Sequence, residues 1–225
     1  MADFPFDMVA FDLDGTLADT APDLAAALNH ALARLGRPTV PVDSVRHLVG
    51  HGARTLLRKG LATSGDASEA LVEQGFPFFL EHYAAHICDG SSAYPGLDDA
   101  LDALKARGVK LALCTNKQEG LTHLLIDAIG WTGRFDAIVG GDTLPVRKPD
   151  PAPLHEAIAR AGGGRAVFVG DSITDADTAK AAGIPFVAVS FGFSDRPAEQ
   201  LGADALIHSH AELIPTLERL KGDAP

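Results

Sequence analysis

Cysteine is scarce in this chain: only Cys88 and Cys114 occur among 225 residues. Two are too few for a disulfide scaffold and do not have metal-ligand spacing, so buried thiols in a reducing compartment are expected. Positive charge is also short. Nineteen Lys and Arg against 30 Asp and Glu leave a formal net charge of −11, with no basic block anywhere. That balance argues against nucleic acid as a partner and leaves room for a small anion in a locally positive pocket. No apolar run is long enough to cross a bilayer. The first residues, with Asp3 and Asp7, do not have the pattern of a secretory leader. The expectation is a cytoplasmic protein without membrane or nucleic-acid partners; monomer and homodimer both remain open.

At 46% hydrophobic residues, the chain can form one large domain, or a domain with a smaller companion. Its most informative stretch is Val9-Ala10-Phe11-Asp12-Leu13-Asp14-Gly15-Thr16-Leu17, an apolar run ending in two carboxylates, a glycine and a hydroxyl. It reads as a buried strand of a parallel sheet with acids at its carboxyl end, where open α/β sheets bind ligands. Asp12 and Asp14 alternate onto one side, and two like charges so close call for a cation, a divalent metal for preference. The plain alternative is a surface turn built on Asp14-Gly15.

After that strand the pattern is helical. Thr20 reads as an N-cap, with Pro22 and Asp23 in the first turn. Leu24, Leu28, Leu32 and Leu35 recur at helical spacing. Further helices are expected over Val42 to Val49, Ala53 to Leu61 and Ala67 to Ala85, with Gly60, Ser64 and Gly65 as breakers. From Tyr94-Pro95-Gly96 onward, strand-like and helix-like runs alternate, the rhythm of a parallel sheet. Strands are expected over Val109 to Cys114, Ala137 to Val139, Ala166 to Val169, Phe186 to Val189 and Ala205 to Ile207. Helices are expected over Leu97 to Ala106, Gln118 to Ile129, Pro153 to Ala161, Thr174 to Ala182 and Ala211 to Leu220. The fold class is α/β: a Rossmann-like parallel-sheet core, residues 1–18 and 92–225, with a smaller all-helical domain, residues 19–91, inserted.

Four strands lead into reactive side chains: Asp12 and Asp14; Thr115 and Asn116; Asp171, with Asp175 a helical turn later; and, beyond Gly141, the loop carrying Lys148. In a parallel sheet these ends share one edge. Singly, Lys148 reads as a solvated lysine and Asp171-Ser172 as a helix cap. Together they fit phosphoryl transfer, which needs a positioned nucleophile and neutralised phosphoryl oxygens. The expected roles are Asp12 as nucleophile through an aspartyl-phosphate, and Asp14 as acid and then base. Thr115 is expected to donate a hydroxyl and Lys148 to supply fixed positive charge. Mg2+ is expected on the side chains of Asp12 and Asp171 and the backbone carbonyl of Asp14. Asp175, Asn116 and Thr16 are supporting residues.

These motifs, Asp12-Leu13-Asp14-Gly15-Thr16, Thr115, Lys148 and Gly170 to Asp175, resemble those of the haloacid dehalogenase-like hydrolases. The resemblance spans nearly the whole chain and implies a Rossmann-like core, an Asp nucleophile, Mg2+ and a mobile cap closing over the substrate. The runs Gly140 to Leu154 and Tyr94 to Gly96 look like those of bacterial phosphoglycolate phosphatases, which implies hydrolysis of 2-phosphoglycolate, a small phosphorylated metabolite. Thr174 stands where many of those phosphatases have asparagine. Substrate choice is expected in the cap, where His51 and Arg54, in Gly50-His51-Gly52-Ala53-Arg54, could meet a carboxylate or simply face water. The alternatives are a phosphosugar mutase, a phosphatase of other small phosphometabolites, a phosphonate-cleaving relative that needs a cap lysine (only Lys59 is present) and a receiver-type signalling module, which would lack the helical insertion.

Overall fold

The computed structural model describes residues 4–194 and 196–220. The ends of the expected core, residues 1–3 and 221–225, and Asp195 within it lie outside the described residues. In chain order the elements begin with β1 (Met8–Phe11), β2 (Ala18–Asp19), α1 (Ala21–Arg34), α2 (Val42–Arg46), α3 (Ala53–Ala62), α4 (Glu69–Ala85) and β3 (Ser92–Ala93). Then come α5 (Leu97–Ala106), β4 (Lys110–Cys114), α6 (Glu119–Ile129), β5 (Ala137–Val139), α7 (Ala152–Arg160), β6 (Ala166–Gly170), α8 (Ile173–Ala182), β7 (Phe186–Val189), β8 (Ala205–Ile207) and α9 (Leu213–Arg219).

Among the described residues the main sheet has six strands in the order β5-β4-β1-β6-β7-β8, and every pairing is parallel. The central strand β1 is apolar throughout because it is covered on both faces. Val9 and Phe11 join one core with Leu111, Leu113, Val167 and Val169. Met8 and Ala10 join the other with Ala112, Cys114 and Phe168. Each large side chain so buried contributes about 1.5–3 kcal/mol. Burial also pushes the Cys114 thiol up to about 12, as expected of a core thiol. β5, β4, β1 and β6 are consecutive neighbours, so the four chemistry-bearing tips lie side by side on one edge.

The helices α1 to α4 form their own core around Leu28, Leu57, Phe79 and Tyr83, with Leu121 from α6 packed into it. They are reached through β2 and left through β3, which pair antiparallel as a small ribbon, Ala18 opposite Ala93 and Asp19 opposite Ser92. Asp23 ties the exit to α1: its buried carboxylate accepts from Gly90 N (2.9 Å), Ser91 N (2.8 Å) and Ser91 Oγ (2.5 Å).

Some local expectations are corrected. Gly60 does not break α3, because Leu28 packs against its bare Cα; a Cβ there would meet Leu28 Cδ1 at 2.6 Å. α2 ends at Arg46, short of Val49, and the chain then turns through Gly50 and Gly52 at φ 103° and 84°. The last helix starts at Leu213, after a 3-10 turn over His210–Glu212. Thr20 occupies the N-cap position of α1 without a capping hydrogen bond, because its backbone, at φ −99° and ψ 0°, is outside the extended region a capping side chain needs; its hydroxyl donates to Asp14 Oδ1 at 2.7 Å.

Asp23→Ala is expected to orphan the Gly90 and Ser91 donors and to cost about 2 kcal/mol of stability. Urea unfolding checks this through a lowered midpoint with an unchanged slope.

Candidate active site

Lys148 stands at the centre of the sheet edge. Its Nζ lies 2.9 Å from Asp12 Oδ1 at the tip of β1 and 2.6 Å from Asp175 Oδ1 in the first turn of α8. All three side chains are buried. Asp175 also accepts from Ser172 N (3.1 Å) and Ser172 Oγ (2.5 Å), while Ser172 caps α8. The helix cap and the acidic site are therefore one structure. Asp171, at the end of β6, accepts from Phe193 N at 2.5 Å and from Thr16 Oγ1 at 3.3 Å. Gly15, at φ 84°, lies so close that a Cβ there would overlap the Asp171 carboxylate, so this turn needs glycine for both backbone and space.

Ligand oxygens of Asp12, Asp171 and Asp175 lie within 4.8 Å of one another. One ammonium cannot neutralise three buried carboxylates. Burial, the largest influence, pushes Asp12 up to about 6 against the pull of Lys148, with Asp175 and Asp14 adding to the rise. Burial, then Asp175 and Asp12, hold Asp171 well above the usual carboxylate range. Burial also works against the charge on Lys148, but Asp12 and Asp175 outweigh it and hold its pKa above the usual lysine value. The Lys148 contact with Asp12 is an ion pair without hydrogen-bond alignment, so Asp12 Oδ1 keeps an unfilled acceptor site. Closely placed oxygen donors with surplus negative charge suit a hard divalent cation.

Asp14 points elsewhere. Its side chain is not in the carboxylate cluster; Oδ1 accepts from Thr20 Oγ1 and lies 3.0 Å from Lys117 Nζ. The cation expected between Asp12 and Asp14 is thus, on the Asp14 side, the ammonium of Lys117. Lys117 in turn donates to Tyr83 Oη of α4 at 2.6 Å. Burial would depress Lys117, but Asp14 and Tyr83 overcome it and raise its pKa. Burial lifts the Tyr83 phenol to about 12.

A cleft runs from Asp12 and Asp14 past Thr115, Asn116 and Lys117 to Gly50, Gly52 and Ala53 of the helical insertion. Thr115 Oγ1 accepts from Lys117 N at 3.2 Å, leaving its own proton to donate. Asn116 Nδ2 donates to Gly50 O (3.2 Å) and Lys148 O (3.1 Å), clipping insertion to core. Neither His51 nor Arg54 lines this cleft. Arg54 pairs with Glu73 and lies over the Phe76 ring, 4.3 Å from its centroid, on an exposed face. From the glycine-rich stretch it is backbone, not either of those side chains, that reaches the cleft.

Sequence reasoning passed over Lys117, Tyr83, Thr20 and Phe193. Lys117 alone carried a signal, standing two residues beyond Thr115 on the same strand tip. Thr20 meets Asp14 within the turn that follows β1, and Tyr83 and Phe193 owe their contacts to distant parts of the chain.

Residues 9–189 match the family model described as haloacid dehalogenase-like hydrolase. The chain belongs to that family. Within it, the phosphoglycolate phosphatase of Caulobacter vibrioides is 47% identical over 212 residues, covering 91% of this chain and 88% of its own. A Haemophilus somnus structure described as a predicted phosphoglycolate phosphatase superimposes with TM-score 0.88 at 30% identity, covering 94% and 98%. CbbY from Rhodobacter sphaeroides, solved in complex with phosphate, gives TM-score 0.78 at 26% identity, covering 92% and 96%. The parallel sheet and the acidic edge are thus those of a haloacid dehalogenase-like hydrolase, and among the described residues no helix is long and apolar enough to cross a membrane.

For this family member a divalent cation should relieve the cluster, and the sign follows from the carboxyl shifts. Metal-free, the folded state holds a proton on Asp12 that the unfolded state has lost, so stability from this group falls as pH rises from 3.8 to about 6. Protons compete with the metal for Asp12 below about 6. Saturation to about 100 times Kd is expected to add about 2.7 kcal/mol, a Tm rise of about 5–10 °C, larger at about pH 7.5 than at about pH 5.5. Thermal scans with cation and after chelation check this, and Asp171→Asn should remove most of the rise.

Proposed function

We propose that this hydrolase is a Mg2+-dependent phosphomonoesterase that works through an aspartyl-phosphate on Asp12, acts on 2-phosphoglycolate, and functions in the cytoplasm. The observation that carries the reading is Lys148 bridging Asp12 and Asp175 beside Asp171, with Asp14 and Thr115 across the same cleft. The name of the Caulobacter vibrioides relative supports the substrate. We further propose that residues 19–91 act as a lid on a core of residues 1–18 and 92–225.

In this reading the ionised Asp12 attacks phosphorus in line with the ester oxygen. Lys148 holds Asp12 in place and keeps positive charge beside the arriving phosphoryl group. Thr115 donates its hydroxyl proton to a phosphoryl oxygen. Asp14 takes up a proton from solvent as substrate binds and, as the P–O bond breaks, gives it to the departing glycolate oxygen; it then takes a proton from the water that attacks the aspartyl-phosphate, releasing phosphate and restoring Asp12. Asp12, Asp171 and the Asp14 carbonyl, with Asp175 beside them, would hold the metal, which when bound would supply positive charge for the phosphoryl oxygens. Thr16 and the Phe193 amide keep Asp171 oriented. Asn116 joins the lid to the Lys148 loop, and closure excludes water from the first step.

Phosphate release should be fastest with 2-phosphoglycolate in a panel of phosphorylated acids, sugars and nucleotides. Chelation should abolish it and Mg2+ restore it. Asp12→Asn is expected to lose at least about 10^3-fold in kcat; a variant that still turned over would rule out the aspartyl-phosphate. If the insertion is a lid, substrate analogue plus Mg2+ should slow limited proteolysis between Leu17 and Thr20 and between Cys88 and Tyr94.

A further inference from the structure

The cleft wall beyond the reacting centre is apolar, made by Leu24, Val49, Leu56, Phe79 and Leu121, and is interrupted by Lys117 and Tyr83. The phosphoryl steps do not use either group. A buried ammonium in such a wall is costly unless it meets anions, and Asp14 is one. Its geometry leaves capacity for another. Of the three donors on Lys117 Nζ, one goes to Tyr83 Oη at 2.6 Å and one faces Asp14 Oδ1 at 3.0 Å, leaving the third. Tyr83 Oη accepts from Lys117 and so keeps its own O–H to donate.

The size of the substrate decides what these donors can reach. In 2-phosphoglycolate a single methylene separates the ester oxygen from the carboxyl carbon, so a carboxylate oxygen lies about 3 Å from the ester oxygen by ordinary bond lengths. Asp14 must come within hydrogen-bond reach of that ester oxygen to protonate it. The group that reads the carboxylate therefore has to sit beside Asp14. Lys117 does, with Tyr83 next to it, whereas Arg54 is engaged by Glu73 on an outer face.

We propose that Lys117 and Tyr83 form the subsite for the substrate's carboxylate, Lys117 with its remaining N–H donor and Tyr83 with its hydroxyl proton. The assignment rests on the 2-phosphoglycolate reading. Lys117 follows β4 of the core and Tyr83 belongs to α4 of the insertion, so the subsite is complete only with the insertion seated. The carboxylate itself then holds the two parts together.

The test is selectivity: kcat/KM for 2-phosphoglycolate divided by that for ethyl phosphate, which lacks the carboxylate, in the wild type, Tyr83→Phe and Lys117→Met. The ratio is expected to fall about 10-fold in Tyr83→Phe, mostly through KM, and about 100-fold in Lys117→Met. Tyr83→Phe keeps the ring and the packing, so it decides the matter if Lys117→Met does not fold. A wild type that does not discriminate between the two esters sinks the substrate reading and this assignment with it. A wild type that does discriminate, with a ratio unchanged in Tyr83→Phe, or with both substrates losing equally in both variants, sinks the assignment alone.

Discussion

The structure turns on a single buried ammonium held between two carboxylates. Lys148 touches Asp12 and Asp175 with all three out of water, an arrangement whose desolvation cost rivals its Coulombic gain. With Asp171 alongside, the balance is negative, and the folded protein carries charge that burial and repulsion push toward protonation. An isolated core would discard such a cluster. Here the sheet holds it rigidly, because β1 is paired on both sides, to β4 and β6, and all three strands are packed between two buried cores.

That rigidity makes electrostatics available for chemistry. Donors and charges fixed before the reaction need no reorganisation when phosphoryl charge develops. The supports are local and stiff: the Ser172 cap of α8, the Phe193 amide, the Thr16 hydroxyl and the bare Cα of Gly15. The seam between sheet edge and insertion is of another kind. Leu121 packs among insertion side chains, and the polar links across the seam among the described residues include Asn116 to Gly50, Lys117 to Tyr83, Thr20 to Asp14 and His47 to Ser194.

Much of this was legible in the sequence, for physical reasons that differ by element. β1 and β6 could be read because strands buried on both faces are continuously apolar, and their tips because acids directly after such runs have few other uses. α1 showed itself through Leu24, Leu28 and Leu32. Its cap is not legible: Thr20 has the right residue type and position, but whether a hydroxyl can accept from the first turn depends on a backbone conformation that residue type does not fix. Gly60 was misread because composition cannot tell a glycine that breaks a helix from one that lets Leu28 approach it.

By itself the sequence determined the six strands of the main sheet and the helices between them, the run of helices after the first strand, and the chemistry at each strand tip, since hydropathy period and glycine placement are local properties; the short strands β2 and β3 carry no such signal. Only the tertiary structure decided which cation meets which acid. Lys148 serves Asp12, Lys117 serves Asp14, and Arg54, the more conspicuous candidate, is spent on Glu73. The reason is that a charge's partner depends on how separately folded faces dock, and pairs such as Lys117 with Tyr83 join segments that no periodicity in the chain relates.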